Sequence, residues 1–413
     1  MPDAYPVRAR CVPGACWDGR WSSRCCRATI VDMPLDRRQL FSAIGIGLSA
    51  CRAPWSTGRV EGKRLDRVLE ANVGRLPEKP GAGANHYPMA AEALEAMGRD
   101  DAIAPSWSLD AARYPETRSA LPPLLSAGRR VLDEAADLGL DGGGLGAYER
   151  FAEWLEHFQE ALARAPWQAV VGAWAPLLAP GLSGAAFHGL LRTAHAVRGL
   201  GRHPSPPRRE ELAVGLAYWA ARYAELPAGS PSRGVAIRLP EALALLEHPW
   251  CDDRRDVDFF GVTPRLARVA HLPDVVAPAS RSAAREDLRL LVREAAAGFL
   301  EMLVAKRHRI WVLHAVTGPA AVDLLLPHVE EQAACALVGH AQRAALATFA
   351  AFGEPYAPRA HVRSAPPSWD DLVARLTAAP TVHGVKLFEA LLRFEEPGDP
   401  LWRSVAAEFL DWT

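Results

Sequence analysis

Five histidines of this chain stand where few other side chains are polar, and their settings limit the chemistry to be considered. The densest stretch is Phe187-His188-Gly189-Leu190-Leu191-Arg192-Thr193-Ala194-His195-Ala196-Val197-Arg198. Wound as a helix, it puts His188, Leu191, Arg192 and His195 on one face, because residues three, four and seven apart line up at 3.6 per turn. His86 falls at a loop-to-helix junction, Asn85-His86-Tyr87-Pro88-Met89, where Asn85 suits a cap and Pro88 an early helical position. His314 is embedded in Ile310-Trp311-Val312-Leu313-His314-Ala315-Val316, and an imidazole buried there needs a partner for each ring nitrogen. His383 and Lys386 lie one turn apart in Thr381-Val382-His383-Gly384-Val385-Lys386.

Imidazoles dispersed over separate helices are how helical bundles assemble a metal site in their core, and imidazole suits iron, zinc or copper. More compact chemistries are absent from the sequence. There is no H-E-x-x-H pair, no C-x-x-C and no G-x-S-x-G elbow. Gly142-Gly143-Gly144 follows no strand and precedes no G-K-S/T, so neither a phosphate loop nor a dinucleotide fold is indicated. The bland alternative stays open at this level: histidines packed or exposed in a helical scaffold with no catalytic role.

The elements that must position these groups are helical. From Leu65 onward apolar residues recur at helical spacing, without repeats or useful strand alternation, so the expected class is all-α, a single large helical domain over residues 63–413 with loop insertions. Expected helices include Ala90–Met97, Phe151–Arg164 with His157 exposed among glutamates, Glu210–Glu225, Ser282–Lys306, and one running from Asp323 through Ala351. Arg202–Arg209, with three prolines, reads as a loop, and residues 250–285 as the least regular part. His248 and His271 read as turn residues, and His328 and His340 as solvent or packing positions.

Charge is balanced, with 47 basic and 48 acidic residues, which leaves no electrostatic footprint for nucleic acid or an anionic membrane. Five of the seven cysteines precede residue 52, which rules out a disulfide framework in the globular part. Residues 1–32 lack periodicity and read as disordered or as an upstream extension. Residues 33–51, from Met33 through Arg37-Arg38 and a short apolar run to Leu48-Ser49-Ala50-Cys51, have the three parts of a twin-arginine export signal. Cys51 would be a lipid-anchored first residue and the only membrane attachment; the alternative is a cytoplasmic protein.

Five blocks, Asn85-His86-Tyr87-Pro88-Met89, Phe187–His195, Gly215-Leu216-Ala217-Tyr218-Trp219-Ala220, Leu313-His314-Ala315-Val316-Thr317-Gly318 and His383-Gly384-Val385-Lys386-Leu387, resemble in order the questin oxidase-like family. The resemblance covers roughly residues 63–396, and its second block is the most specific. It implies an oxidoreductase that uses dioxygen to open a ring of an aromatic polyketide or quinone-like substrate by C–C cleavage. It also implies a mononuclear non-haem Fe(II) held by four histidines and a lysine carboxylated on its amine. Those residues map onto His86, His188, His314, His383 and Lys386, with His195 as the first replacement to consider. Gly384 after His383 loosens the helix at the ligand pair.

Burial would lower the pKa of Lys386, and a neutral amine can add CO₂ to give an anionic oxygen donor. Arg192 would hold an oxyanion through charge-assisted hydrogen bonds, and Tyr218 and Trp219 would wall the aromatic pocket. Two rival classes remain: a zinc-dependent hydrolase on the same ligands, and the non-catalytic scaffold or lipoprotein.

Overall fold

A computed structural model describes residues 63–79, 83–117, 144–226, 239, 242, 285–305, 310–352, 362–363, 365–395 and 398–412. The signal-like segment 33–51, Cys51, the 250–284 stretch, His248 and His271 lie outside them. Thirteen α-helices are found among the described residues, and the only described sheet is two-stranded, so the protein is all-α. In chain order the helices are α1 (Lys63–Asn72), α2 (Tyr87–Ala96), α3 (Ser106–Asp110), α4 (Phe151–Arg164), α5 (Trp167–Leu178), α6 (His188–Arg202) and α7 (Pro206–Ala221). They continue with α8 (Arg285–Ala305), α9 (Ile310–Leu325), α10 (Glu331–Phe352), α11 (Trp369–Ala378), α12 (Val382–Phe394) and α13 (Leu401–Trp412).

Four of these position the histidines. Helix α2 packs on α6, α6 on α9, α9 on α12, and α12 back on α2, which closes a ring of four. All four run in one direction, because their early residues meet in one place and their later residues in another. His86, His188, His314 and His383 come together at the N-terminal ends. Glu92, Arg198, Glu389, Asp323 and Arg393 are joined by ion pairs toward the C-terminal ends. Parallel neighbours need long connections, and each link between these four helices is a crossover that carries other elements.

Helix boundaries differ from the periodicity in instructive ways. α7 begins at Pro206, inside the stretch read as a proline loop, because a proline at the first helical position forfeits no hydrogen bond. The helix expected over Asp323–Ala351 is two: α9 ends at Leu325, a 3₁₀ turn takes Leu326–His328 around Pro327, and α10 starts at Glu331. His157 is not exposed among glutamates. It is half-buried, edge-on to Trp154, Phe158 and Trp174. The segment Ile310–His328 is apolar enough to cross a membrane, yet 78% of its most apolar window is buried inside the molecule, as a core helix would be.

Helices α6 and α7 touch through glycine. A Cβ on Gly189 would lie 2.4 Å from Trp219 Cα, and one on Gly215 would lie 2.8 Å from the Thr193 amide nitrogen. Backbone cannot give way as a side chain can, so Gly189→Ala has to pry α6 from α7 beside His188. The expected loss is about 1–3 kcal/mol or more, read by urea unfolding. Gly201→Ala, also in α6 but with its nearest neighbour 3.9 Å away, should be neutral or slightly stabilising.

Candidate metal centre

His86, His188 and His314 are each held by local structure near a helix start, and His383 is the second residue of α12. His86 follows the short hairpin that pairs Glu78 with Ala84 and Lys79 with Gly83. Asn85 clamps this corner: its amide Nδ2 donates to Asn72 Oδ1 at 2.5 Å, and its Oδ1 accepts from the Tyr87 backbone N–H at 3.2 Å. His188 opens α6 after three successive non-glycine residues at positive φ, Ala185, Ala186 and Phe187. Such a left-handed run is costly for side-chain-bearing residues, and it persists only where its surroundings over-determine it. Here the Phe187 ring is wedged against Gly318 of α9, where a Cβ would come within 2.7 Å of Cδ1. The turn aims the Ala185 carbonyl back at His188, whose Nδ1–H donates to it at 2.5 Å.

His314 has the same arrangement by a simpler route, donating Nδ1–H to the Ile310 carbonyl one turn earlier at 2.7 Å. A carbonyl oxygen only accepts, so both Nδ1 atoms carry the proton and both Nε2 atoms present bare lone pairs. Those two Nε2 atoms face each other at 3.2 Å. Two lone pairs at that separation repel unless a cation lies against both. Cis ligands at about 2.1 Å from one metal are about 3 Å apart, and an imidazole with its second nitrogen bonded to a backbone carbonyl is the usual support of a metal ligand.

A proton serves poorly as that cation. Burial, then neighbouring cationic and imidazole groups, hold His188 well below the ordinary histidine range. Burial followed by Lys386 pushes His314 down to about 3, and burial followed by Lys386 keeps His86 and His383 well below 6.5. Four helix N-termini, each with partial positive charge, converge here and act in the same sense.

Lys386 is 1% exposed. Among the described residues its ammonium has no carboxylate partner; its Nζ lies 2.7 Å from His86 Nδ1. Burial alone lowers its pKa to about 7, so near neutral pH a large fraction is the free amine. The amine can then accept from His86 Nδ1–H, which leaves His86 Nε2 as a third lone pair. The His86 ring lies 4.7 Å from His188 and 4.2 Å from His383, centroid to centroid. His188 and His314 are fully buried, whereas His86 and His383 are partly exposed and form the solvent side of the cluster. Among the described residues no group of three or more His, Cys, Asp or Glu side chains is placed so that it could hold a metal ion as it stands. The fold brings together four neutral rings and a weakly basic amine, a donor set that fits a borderline divalent metal.

The remaining sequence-selected residues are placed elsewhere. His195 lies two turns along α6 and donates Nδ1–H to Glu92 at 2.6 Å, at the charged end of the bundle; seven residues of helix advance about 10.5 Å. Arg192 is spanned by a two-pronged ion pair to Glu211 of α7 at 2.6 and 2.8 Å, and its buried Nη1 has no hydrogen-bond partner among the described residues. Tyr218 donates to Glu78 at 2.9 Å, alongside Arg222 on the same carboxylate. Trp219 packs its backbone on Gly189, next to His188, and its buried indole N–H has no hydrogen-bond partner among the described residues. The charged layer of Glu92, Arg198 and Glu389 was not anticipated from sequence. Its signal was a polar residue at helical phase inside each apolar run: Glu92 in α2 and Glu389 one turn after Lys386. Compared with models of known families the chain matches none, and no curated protein matches it.

Proposed function

We propose that this chain is a metal-dependent oxidoreductase that binds one Fe(II) through His86, His188, His314 and His383 with Lys386 as the fifth donor, and opens an aromatic, quinone-like ring. The observation that supports this best is the pair of buried Nε2 lone pairs, each with its tautomer set by a backbone carbonyl. Ferrous iron held by these residues would supply reducing power for dioxygen chemistry beside an electron-rich ring.

The chain's own residues have separable tasks. The Ala185 and Ile310 carbonyls orient His188 and His314 and raise their basicity as ligands. The free amine of Lys386 would add CO₂: the N–C bond forms as one C–O π bond opens onto oxygen, the nitrogen's proton goes to solvent, and the anionic carbamate oxygen would serve as the fifth donor. The convergent helix N-termini stabilise that anion, and they also favour an ionised phenol over a neutral one as substrate. The partly exposed His86–His383 side is where substrate would approach.

The test is metal analysis of residues 52–413, purified without a histidine tag and reconstituted anaerobically with Fe(II). About one iron per chain is expected, falling at least tenfold in His188→Ala and in His314→Ala, with substrate-dependent O₂ uptake when hydroxylated quinones are added. Stoichiometric zinc that resists replacement would point to the hydrolase. Absence of any metal after reconstitution would overturn the reading and leave a scaffold.

A further inference from the structure

At the far end of the same bundle lies a cavity of about 430 Å³, lined by Val197, Arg198, Arg289, Asp323, Leu324 and Leu326 among others. That volume is within the range of small-molecule sites. Its lining is mainly apolar, and Arg198, Arg289, Asp323 and His328 are its polar members. The site is separate from the imidazoles: Asp323 is nine residues beyond His314 on α9, roughly 14 Å of helical rise.

The charges there are unequal. Glu92, Glu389 and Asp323 are linked through ion pairs to Arg198, Arg202, Arg289 and Arg393. Burial outweighs Glu92 and keeps His195 below its ordinary pKa, so it adds no positive charge near neutrality. Among the described residues, four guanidinium groups therefore meet three carboxylates in this connected set. The neighbouring group of Arg208 with Asp66 and Glu95 carries the opposite excess, but it joins α1, α2 and α7 and does not line the cavity.

The surplus reaches the cavity at Arg289. Arg198 is saturated by Glu92 and Glu389. Asp323 is engaged by both Arg393 and Arg289, so an incoming cation would find no free acceptor. Among the described residues Arg289 is paired through its Nε alone, 3.1 Å from Asp323 Oδ1, and its side chain is 56% exposed, so the outer guanidinium edge faces no described carboxylate and suits a planar anion.

We propose that this cavity binds a small organic carboxylate, with its apolar body against Val197, Leu324 and Leu326 and its carboxylate on Arg289. The site stands whether or not the imidazole cluster holds iron, since none of its residues belongs to that cluster. Benzoate is a suitable probe and benzamide its neutral counterpart, titrated calorimetrically into the full chain. One saturable benzoate site is expected, at least tenfold weaker for benzamide and at least tenfold weaker for benzoate with Arg289→Gln. Leu324→Trp, which fills a partly exposed wall, should abolish binding while melting near the wild-type temperature. Equal affinity for the two probes would overturn the proposal, as would binding that survives both variants, or no benzoate binding up to about 20 mM.

Discussion

Lys386→Met is expected to stabilise the protein in the absence of metal and, on the function proposed above, to remove the fifth donor. Methionine has about the length of the lysine stem and suits an apolar site, and Lys386 is buried with no carboxylate to balance its charge. The pH dependence follows from burial lowering the folded pKa from 10.5 to about 7. Between those values the unfolded chain holds the proton and the folded chain does not, so wild-type stability rises with pH across that window. Below about pH 7 both states are protonated and the whole penalty for burying the ammonium is present, up to about 5 kcal/mol. The variant should therefore melt well above wild type at pH 6 in CO₂-free buffer, and the gap should close toward pH 10. The histidines act in the same direction at lower pH: unfolded imidazoles take protons below 6.5 while the folded ones resist, so both proteins weaken on further acidification. Calorimetric melting over this range decides the matter. A variant less stable than wild type at pH 6 would mean that Lys386 is not a desolvated, uncompensated amine.

Arg198→Met should have the opposite sign. Arg198 joins three of the four bundle helices, donating from Nε at 2.8 Å and Nη2 at 2.6 Å to Glu92 of α2 and from Nη1 to Glu389 of α12. Burial would raise both carboxyls, but Arg198 and His195 outweigh it and hold Glu92 at about 2, and Arg198 with Arg393 keeps Glu389 below the carboxylate range. Removing the guanidinium leaves two buried carboxylates under-compensated, Glu92 with His195 and the more distant Arg202 at 3.9 Å, and Glu389 with Arg393, a loss of about 3–5 kcal/mol at pH 7. That is a large share of the 5–15 kcal/mol that typically holds a domain together. The deficit should shrink as pH falls through about 5, because the stranded carboxyls can then fold protonated. Arg198→Met combined with Glu389→Gln should recover part of it. Urea unfolding at pH 7 and pH 5 reads all three quantities, and a loss under 1 kcal/mol would show that the network contributes orientation alone.

The gaps between sequence and structure have specific causes. Phe151–Arg164 was legible to the residue because its apolar face repeats without interruption. Boundaries failed where proline has two readings: Pro206 starts a helix, while Pro327 ends one. The stripe on α6 was read as one site, but its members serve different neighbours: His188 meets α9, Arg192 meets α7 and His195 meets α2. A helical face spreads over a wide arc and advances along the axis, so residues that share it need not share a partner.

The helical class was already legible in the chain, and so was the apolar setting of His188 and His314, because both follow from residue type and spacing within a turn or two of helix. The sequence by itself determined neither that His188 and His314, 126 residues apart, aim their lone pairs at each other, nor that Lys386 touches His86 across 300 residues. The left-handed turn at Ala185–Phe187, held by a ring seated on Gly318, is equally invisible locally, since alanine and phenylalanine rarely adopt it. Those meetings depend on which helices pack as neighbours and in which direction they run. The tertiary structure decided that: long crossovers let four helices lie parallel, gathering imidazoles at their N-terminal ends and charges at the other.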